Sequence, residues 1–124
     1  MKYLLIAGAG AAGSLSRYLL AGLVQSLAGS GFAWGTLAVN VTGCFGAGLL
    51  FALGERYGVL SDAARSALLI GFFGAFTTFS TLALETWLLL REGAWWLAAG
   101  GFLAHNALGI GAVVLAAGIV KLIL

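Results

Sequence analysis

The sequence has few charged residues, one cysteine and no proline. Charged side chains make up 8% of its 124 residues, whereas an average soluble domain has about 25%. A water-soluble globule of this size would therefore lack the charged groups that its surface needs. Cys44 is most simply a small buried apolar residue, and a single cysteine excludes a disulfide scaffold. The six Lys and Arg residues are scattered, so no basic patch indicates nucleic-acid binding.

Apolar residues are abundant instead, at 62% of the chain. A helix needs about 20 predominantly apolar residues to cross a bilayer. Four stretches meet that length, at about 3–27, 33–53, 67–90 and 95–122. Short connections take up nearly all the other residues. The sequence therefore predicts an all-α integral membrane protein, with one four-helix transmembrane domain over residues 1–124.

The charges near the ends of the spans predict an orientation. Four crossings place Lys2, Arg56, Arg65 and Lys121 on one side of the membrane and Arg91 on the other. Cytoplasmic segments carry an excess of Lys and Arg. This distribution predicts that both termini face the cytoplasm.

Residues 8–13 read GAGAAG, which matches the dinucleotide-binding pattern GxGxxG. That motif requires an acidic residue about 20 positions later to hold a ribose, but the first acidic residue is Glu55. Small residues at such spacings are also typical of membrane helices that approach each other closely. We therefore predict helix packing for these glycines and for those of segments 31–35 and 43–48.

The third span carries four hydroxyl side chains within residues 77–81, after Gly71 and Gly74. Ser and Thr hydroxyls compete for backbone carbonyls, and glycine weakens a helix. The pattern predicts a helix broken in mid-span, whose free carbonyls are able to hold a cation. The alternative is a kinked helix whose hydroxyls bond their own backbone.

Three further polar side chains lie inside the predicted spans, where they are energetically costly. Thr36 and Asn40 are four residues apart and share one helix face, so Asn40 either bonds a partner helix or lines a pathway. Arg17 lies in the first span, where a lone cation invites an anion, a carboxylate partner or extension to the interface.

A polar track runs along the third helix, because Thr77, Thr81 and Glu85 recur every four residues. Glu85 either belongs to this track or lies at the membrane interface. On the fourth helix His105, with Asn106 beside it, is either a proton carrier or, as we favour, a neutral histidine bonded to a neighbouring carbonyl. No HxxxH or paired-carboxylate arrangement supports catalytic metal chemistry.

Three segments together resemble the signatures of the Fluc/CrcB fluoride channel family, over nearly the full length of the chain. They read GAAGSLSRY at 10–18, GTLAVNVTGCF at 35–45 and GFFGAFTTFST at 71–81. The resemblance implies a fluoride-selective ion channel of a bacterial or archaeal cell membrane, such as a cell inner membrane, and not an enzyme. Such a channel exports cytoplasmic fluoride down its gradient and gives fluoride resistance.

The resemblance also implies an assembly. Members of that family are antiparallel, dual-topology homodimers in the lipid bilayer, with two pores and a structural sodium ion (Na+) at the dimer interface. In this sequence the backbone carbonyls of Gly74 and Thr77 match those that hold the sodium ion. Dual topology contrasts with the cation distribution, which favours a single orientation.

The same resemblance implies a set of pore residues. Asn40 matches the pore asparagine, Phe79 the first pore phenylalanine and Arg17 the vestibule arginine. The other positions expected on or near the polar track are Thr36, Ser80, Thr81 and Glu85. Fluoride holds its water tightly, so a pore must supply many hydrogen-bond donors. Phenylalanine ring edges are positive, and a central cation adds a favourable field.

One pore position departs from the family pattern. Leu82 stands where a second phenylalanine is usual, and a leucine has no ring quadrupole. Either one aromatic position of each pore is missing, or another ring, such as that of Phe76, takes its place.

Two alternative functions fit four spans. A proton-coupled small multidrug exporter needs a buried carboxylate in the first span, and none occurs between Met1 and Gly54. A non-transporting membrane subunit would use its polar residues only to join helices. Such a subunit would tolerate Asn40→Ala and Phe79→Ala, whereas a channel would lose flux while its dimer persists.

Overall fold

The computed structural model describes residues 1–58 and 60–123, and within them it is helical and without strands. A segment of π-helix, Ala67–Phe73, lies within the third span. The α-helices are α1 (Lys2–Ala28), α2 (Trp34–Tyr57), α3 (Asp62–Ser66), α4 (Gly74–Phe76), α5 (Phe79–Arg91) and α6 (Trp95–Ile123).

Four helical stretches are long and apolar enough to cross a membrane. They are α1, α2, α6 and the composite span Asp62–Arg91, with 27, 24, 29 and 30 residues. At about 1.5 Å of rise per residue, even the shortest exceeds the roughly 30 Å hydrocarbon core of a bilayer. The predicted all-α, four-span membrane fold is confirmed.

The third span breaks at two residues with extended backbone. Thr77 has a ψ of 159°, and Thr78 has φ −150° and ψ 114°. The helix ends with a bond from the Thr77 N–H to the Phe73 carbonyl at 3.0 Å, and it restarts at Phe79 with Thr78 as N-cap. The predicted break in mid-span is confirmed. One feature of the alternative is also present, because the Thr77 hydroxyl donates to the Phe73 carbonyl of its own span at 2.9 Å.

Glycines allow the helices to cross closely at two contacts that position the break. A side chain at Gly13 would collide with the backbone of Phe72, so α1 reaches the π-helical segment only because position 13 has no Cβ. A Cβ on Gly48 would lie 2.9 Å from the Cα of Val113, which brings α2 against α6. Here the predicted packing role is confirmed.

The packing prediction is wrong, within one chain, for other glycines of the same runs. Added Cβ atoms at Gly8 and Gly31 would meet no atom within 4 Å. These two residues share a motif with packing glycines but lie away from any facing helix. The core lies chiefly where α2 packs along α6, and its buried apolar residues there include Val39, Ala98, Ala112, Ala116 and Val120.

The outer surface is apolar and carries aromatic residues near the ends of the spans. Trp95 and Trp96, at the start of α6, are 65% and 91% exposed. The Arg91 guanidinium lies 4.7 Å from the centre of the Trp87 ring. Tryptophan and arginine at a span end are typical of residues that anchor a helix at the membrane interface.

Candidate functional site

The break in the third span is closed by one side chain from α2. The Asn40 Nδ2 donates to the Thr78 carbonyl at 3.1 Å, and the Thr78 N–H donates to the Asn40 Oδ1 at 2.7 Å. In an unbroken helix that N–H would bond the carbonyl of Gly74, four residues earlier. Asn40 therefore replaces the lost helical partner, as an interhelical bond, and keeps a second amide hydrogen free of this pair.

The Thr78 hydroxyl also contacts the hydroxyl groups of the residues that follow it. Its Oγ1 lies 3.2 Å from the Ser80 Oγ and 2.9 Å from the Thr81 Oγ1, and it accepts from the Thr81 N–H at 3.2 Å. The Thr78 residue is buried, at 7% exposed. This central role of Thr78 was not predicted. A threonine directly before a helix start is an N-cap pattern, so the sequence does contain a signal for it.

A cavity of about 190 Å³ lies beside the break, and we call it the break cavity. Its walls come from α2, the broken span and α6: Asn40, Cys44, Thr77, Thr78, Phe79, Leu82, His105 and Asn106. It therefore brings together four of the predicted site residues, with Ser80 and Thr81 attached through Thr78. Cys44, His105 and Asn106 had no place among the predicted site residues. Nothing in the spacing of one helix reveals that three helices meet here.

Residues 79 and 82, the two positions where the family resemblance implies pore phenylalanines, differ in environment. Phe79 is 69% exposed on the surface of the chain, whereas Leu82, one turn later, is 6% exposed. Phe76 is buried, and its ring stacks on Phe72 with centroids 5.8 Å apart. The Phe76 ring therefore packs in the core and does not line the break cavity.

Thr36 and Glu85 form a second polar contact, away from the break. The Thr36 hydroxyl donates to the Glu85 Oε1 at 2.7 Å. Glu85 lines a cavity of about 340 Å³, which we call the linker cavity because the segment between α1 and α2 forms one wall. Its lining includes Gln25, Ser30, Phe32, Glu85 and Glu92. Neither Thr36 nor Glu85 lines the break cavity.

Arg17 and Gly74 lie at the backbone of the break. The Arg17 Nη1 is 3.5 Å from the Thr77 carbonyl oxygen, at the limit of hydrogen-bond distance. Gly74 begins α4 and is exposed on the surface of the chain. The helical donor for its carbonyl, the Thr78 N–H, is bonded to Asn40 instead. Backbone carbonyl oxygens freed in this way suit hard cations.

His105 lies on α6 and is 6% exposed. Its Nδ1 is 2.9 Å from the carbonyl oxygen of Gly101 on the same helix. The expected bond to a neighbouring carbonyl is therefore present. The His105 ring centroid lies 6.4 Å from that of Phe32, which lines the linker cavity together with Glu85.

With this geometry described, the chain can be compared with known proteins. Residues 4–119 match the family described as CrcB-like protein, Camphor Resistance (CrcB). The chain belongs to the CrcB family.

Three relatives of this chain have the same name. A protein of Desulforapulum autotrophicum is 50% identical over 119 residues, which cover 96% of this chain and 94% of the relative. One from Nitrosococcus oceani is 50% identical over 105 residues, with 85% and 84% covered. One from Koribacter versatilis is 37% identical over 120 residues, with 97% and 95% covered. Each is named fluoride-specific ion channel FluC.

These similarities confirm several predictions from the sequence. The resemblance to the CrcB family is confirmed, and the family is one of ion channels and not of enzymes. Four spans together with bacterial relatives identify a multi-pass bacterial membrane protein.

Proposed function

We propose that this chain is a fluoride-selective channel, which lets cytoplasmic fluoride leave the cell down its gradient and so gives fluoride resistance. The observation that carries the proposal is 50% identity, over nearly the whole length, to a protein named fluoride-specific ion channel. The break cavity is the part of the chain best suited to an anion, because it combines polar donors with an aromatic ring.

Hydrogen-bond donors at the break support this proposal. Asn40 uses one amide hydrogen on Thr78 and has another for an anion. The hydroxyls of Thr78, Ser80 and Thr81 share two bonds among themselves, so one of their three O–H groups remains to donate. Such donors replace the water molecules that fluoride loses on entering a narrow pore.

Aromatic and charged groups extend the proposed pathway. The exposed Phe79 ring offers its positive edge to an anion, whereas Leu82 offers none and narrows the cavity as an apolar wall. Arg17 adds a positive charge beside the Thr77 carbonyl. Glu85 lines the linker cavity and Thr36 is bonded to it, and we assign both residues to the pathway.

We further propose that the channel is an antiparallel, dual-topology homodimer with two pores. Phe79 and Gly74 are exposed at the level of the break. Irregular backbone at membrane depth is tolerated only where protein or water covers it. A second copy that packs on this surface provides such cover.

A structural sodium ion fits the same surface. The carbonyls of Gly74 and Thr77 are the donors that we assign to it, since hard cations take oxygen ligands. A hard cation needs more oxygen ligands than the two that one chain offers, so a second copy must complete the set. When bound, the ion supplies a fixed positive field close to both pores.

Fluoride efflux from liposomes that contain the purified protein tests the function. We expect fast efflux of fluoride and none of chloride, and loss of most of the fluoride flux in Asn40→Ala and Phe79→Ala, because each removes a group that faces the anion. The matched control is Thr42→Ala. Thr42 is an exposed residue on the same helix, and its hydroxyl bonds the Ala38 carbonyl at 2.7 Å.

Size-exclusion chromatography in detergent accompanies the flux assay, so that loss of flux is separated from loss of assembly. Flux lost from an intact dimer in Asn40→Ala, but kept in Thr42→Ala, supports the channel. A well-folded protein without fluoride efflux would contradict it. In that case the polar residues join helices in a non-transporting membrane subunit.

A further inference from the structure

Two buried side-chain atoms have no hydrogen-bond partner among the described residues, and they belong to neighbouring spans. One is the Oε2 of Glu85 on α5, and the other is the Nε2 of His105 on α6. The two spans pack against each other. Buried polar atoms are seldom left unpaired in native proteins, so these two atoms are open to water or to an ion.

The hydrogen bond of the His105 Nδ1 determines whether the unpaired Nε2 donates or accepts a hydrogen bond. The His105 Nδ1 lies 2.9 Å from the Gly101 carbonyl oxygen, and a carbonyl only accepts hydrogen bonds. Nδ1 therefore carries a hydrogen. In a neutral imidazole the Nε2 is then a bare acceptor, and it becomes a donor only when the ring takes up a second proton. An anion is repelled by the first form and bound by the second.

Each residue of the pair lines one of the two cavities. His105 lines the break cavity together with Asn40, and Glu85 lines the linker cavity. Phe32 lies beside both residues, because it also lines the linker cavity and its ring centroid is 6.4 Å from that of His105. A change of charge on His105 therefore acts on an anion in the break cavity.

We propose that His105 is a proton-dependent anion-binding residue of this pathway, and that fluoride passage through this chain rises as the pH falls. The inference rests on the proposed channel function. His105 takes its proton from the water of the pathway onto Nε2, and that N–H then donates to the anion. In its ionised form the Glu85 carboxylate stabilises the imidazolium, and Thr36 occupies only its Oε1.

The other groups around His105 are consistent with this role. On α2 the titratable side chain at the same cavity is Cys44. The linker between α1 and α2 contributes the uncharged ring of Phe32, 6.4 Å from the imidazole. Arg17 on α1 does not line this cavity, and its guanidinium lies 3.5 Å from the carbonyl oxygen of Thr77. Glu85 is thus the charged partner of His105 among these groups.

Fluoride efflux measured from about pH 6 to about pH 8 tests the proposal. Because passage requires one proton on His105, we expect the flux to fall as the pH rises, by up to about tenfold per pH unit where the neutral ring predominates. His105→Gln supplies a donor at every pH, so its flux should be high and flat. His105→Leu supplies none, so its flux should be low and flat. Protein-free liposomes measure the leak of the neutral acid.

The control variant is again Thr42→Ala, which should keep the wild-type profile. Glu85→Gln removes the charge that stabilises the imidazolium, so the midpoint of its normalised profile should move to lower pH. A flat wild-type profile, or a pH dependence that persists in His105→Gln, overturns the role of His105. Absence of fluoride efflux from the wild type at every pH overturns the channel function itself.

A second measurement needs no variant, because the chain contains one histidine. NMR of the 15N-histidine-labelled protein in detergent reports the tautomer and the protonation of that single ring. We expect the Nδ1–H tautomer at high pH and a titration that fluoride, but not chloride, shifts to higher pH, because the anion binds the protonated form. A titration that fluoride leaves unmoved contradicts the proposal.

Discussion

At the scale of single residues, the pairing of Asn40 with Thr78 serves both the fold and the cavity. One amide satisfies the N–H and the carbonyl of the same broken residue, so the interruption at membrane depth leaves neither group unpaired. Asn40 also lines the break cavity. A polar side chain in a membrane span is tolerated here because it meets two backbone groups at once.

Thr78→Val tests the hydroxyl at the centre of this arrangement. The substitution keeps the shape of the side chain and removes the N-cap bond to the Thr81 N–H and the contact with the Ser80 hydroxyl. We expect it to lower the free energy of unfolding by about 1–2 kcal/mol, measured by thermal unfolding in detergent. Thr78→Ser keeps the hydroxyl and is the matched control. Equal unfolding temperatures for the two variants would argue against the hydroxyl's role.

Residue types in the sequence indicated which side chains are unusual but not what they contact. Spacing along one helix reveals a shared face, as for Thr36 and Asn40. The partners are far apart in sequence, since Asn40 and Thr78 are separated by 38 positions and Thr36 and Glu85 by 49. Their meeting depends on how the helices cross, which no local pattern encodes. The capping by Thr78 is local and was predictable.

At the scale of elements, the residue composition was sufficient to predict the number of spans and the break in the third one. Apolar length predicts a crossing helix, and a run of hydroxyls after glycine predicts its interruption. The π-helical segment Ala67–Phe73 was not predicted. Its apolar sequence suits any kind of helix, so the residue types do not indicate the wider turn.

The stabilities of Gly13→Ala and Gly8→Ala test which glycines of the GAGAAG motif pack against another helix. The methyl group at position 13 would meet the backbone of Phe72, which cannot move as a side chain does. We expect Gly13→Ala to destabilise the fold by about 1–3 kcal/mol and to lower the unfolding temperature in detergent. Gly8→Ala, on the same helix with no atom within 4 Å, should leave it unchanged or raise it. Similar losses in both variants would contradict this assignment.

At the scale of the whole molecule, the surface around the break is the feature that one chain leaves incomplete. Phe79 is 69% exposed, and the Gly74 carbonyl has lost its helical donor to Asn40. A second copy in antiparallel orientation brings an identical break against this one, since a twofold interface uses the same surface on both subunits. That arrangement requires the chain to insert in both orientations, whereas its flanking cations favour cytoplasmic termini.

Labelling of a single cysteine decides between these two predictions of orientation. Ser30 is exposed in the linker between α1 and α2, and Ser30→Cys in a Cys44→Ala background places one thiol at one end of the bundle without changing the charge. In sealed cells an impermeant thiol reagent should reach about half of these cysteines, because an antiparallel dimer contains one chain of each orientation. Detergent should then expose the other half. Labelling of all or none of the thiols before detergent would show a single orientation, and the four-to-one excess of flanking cations would then govern insertion.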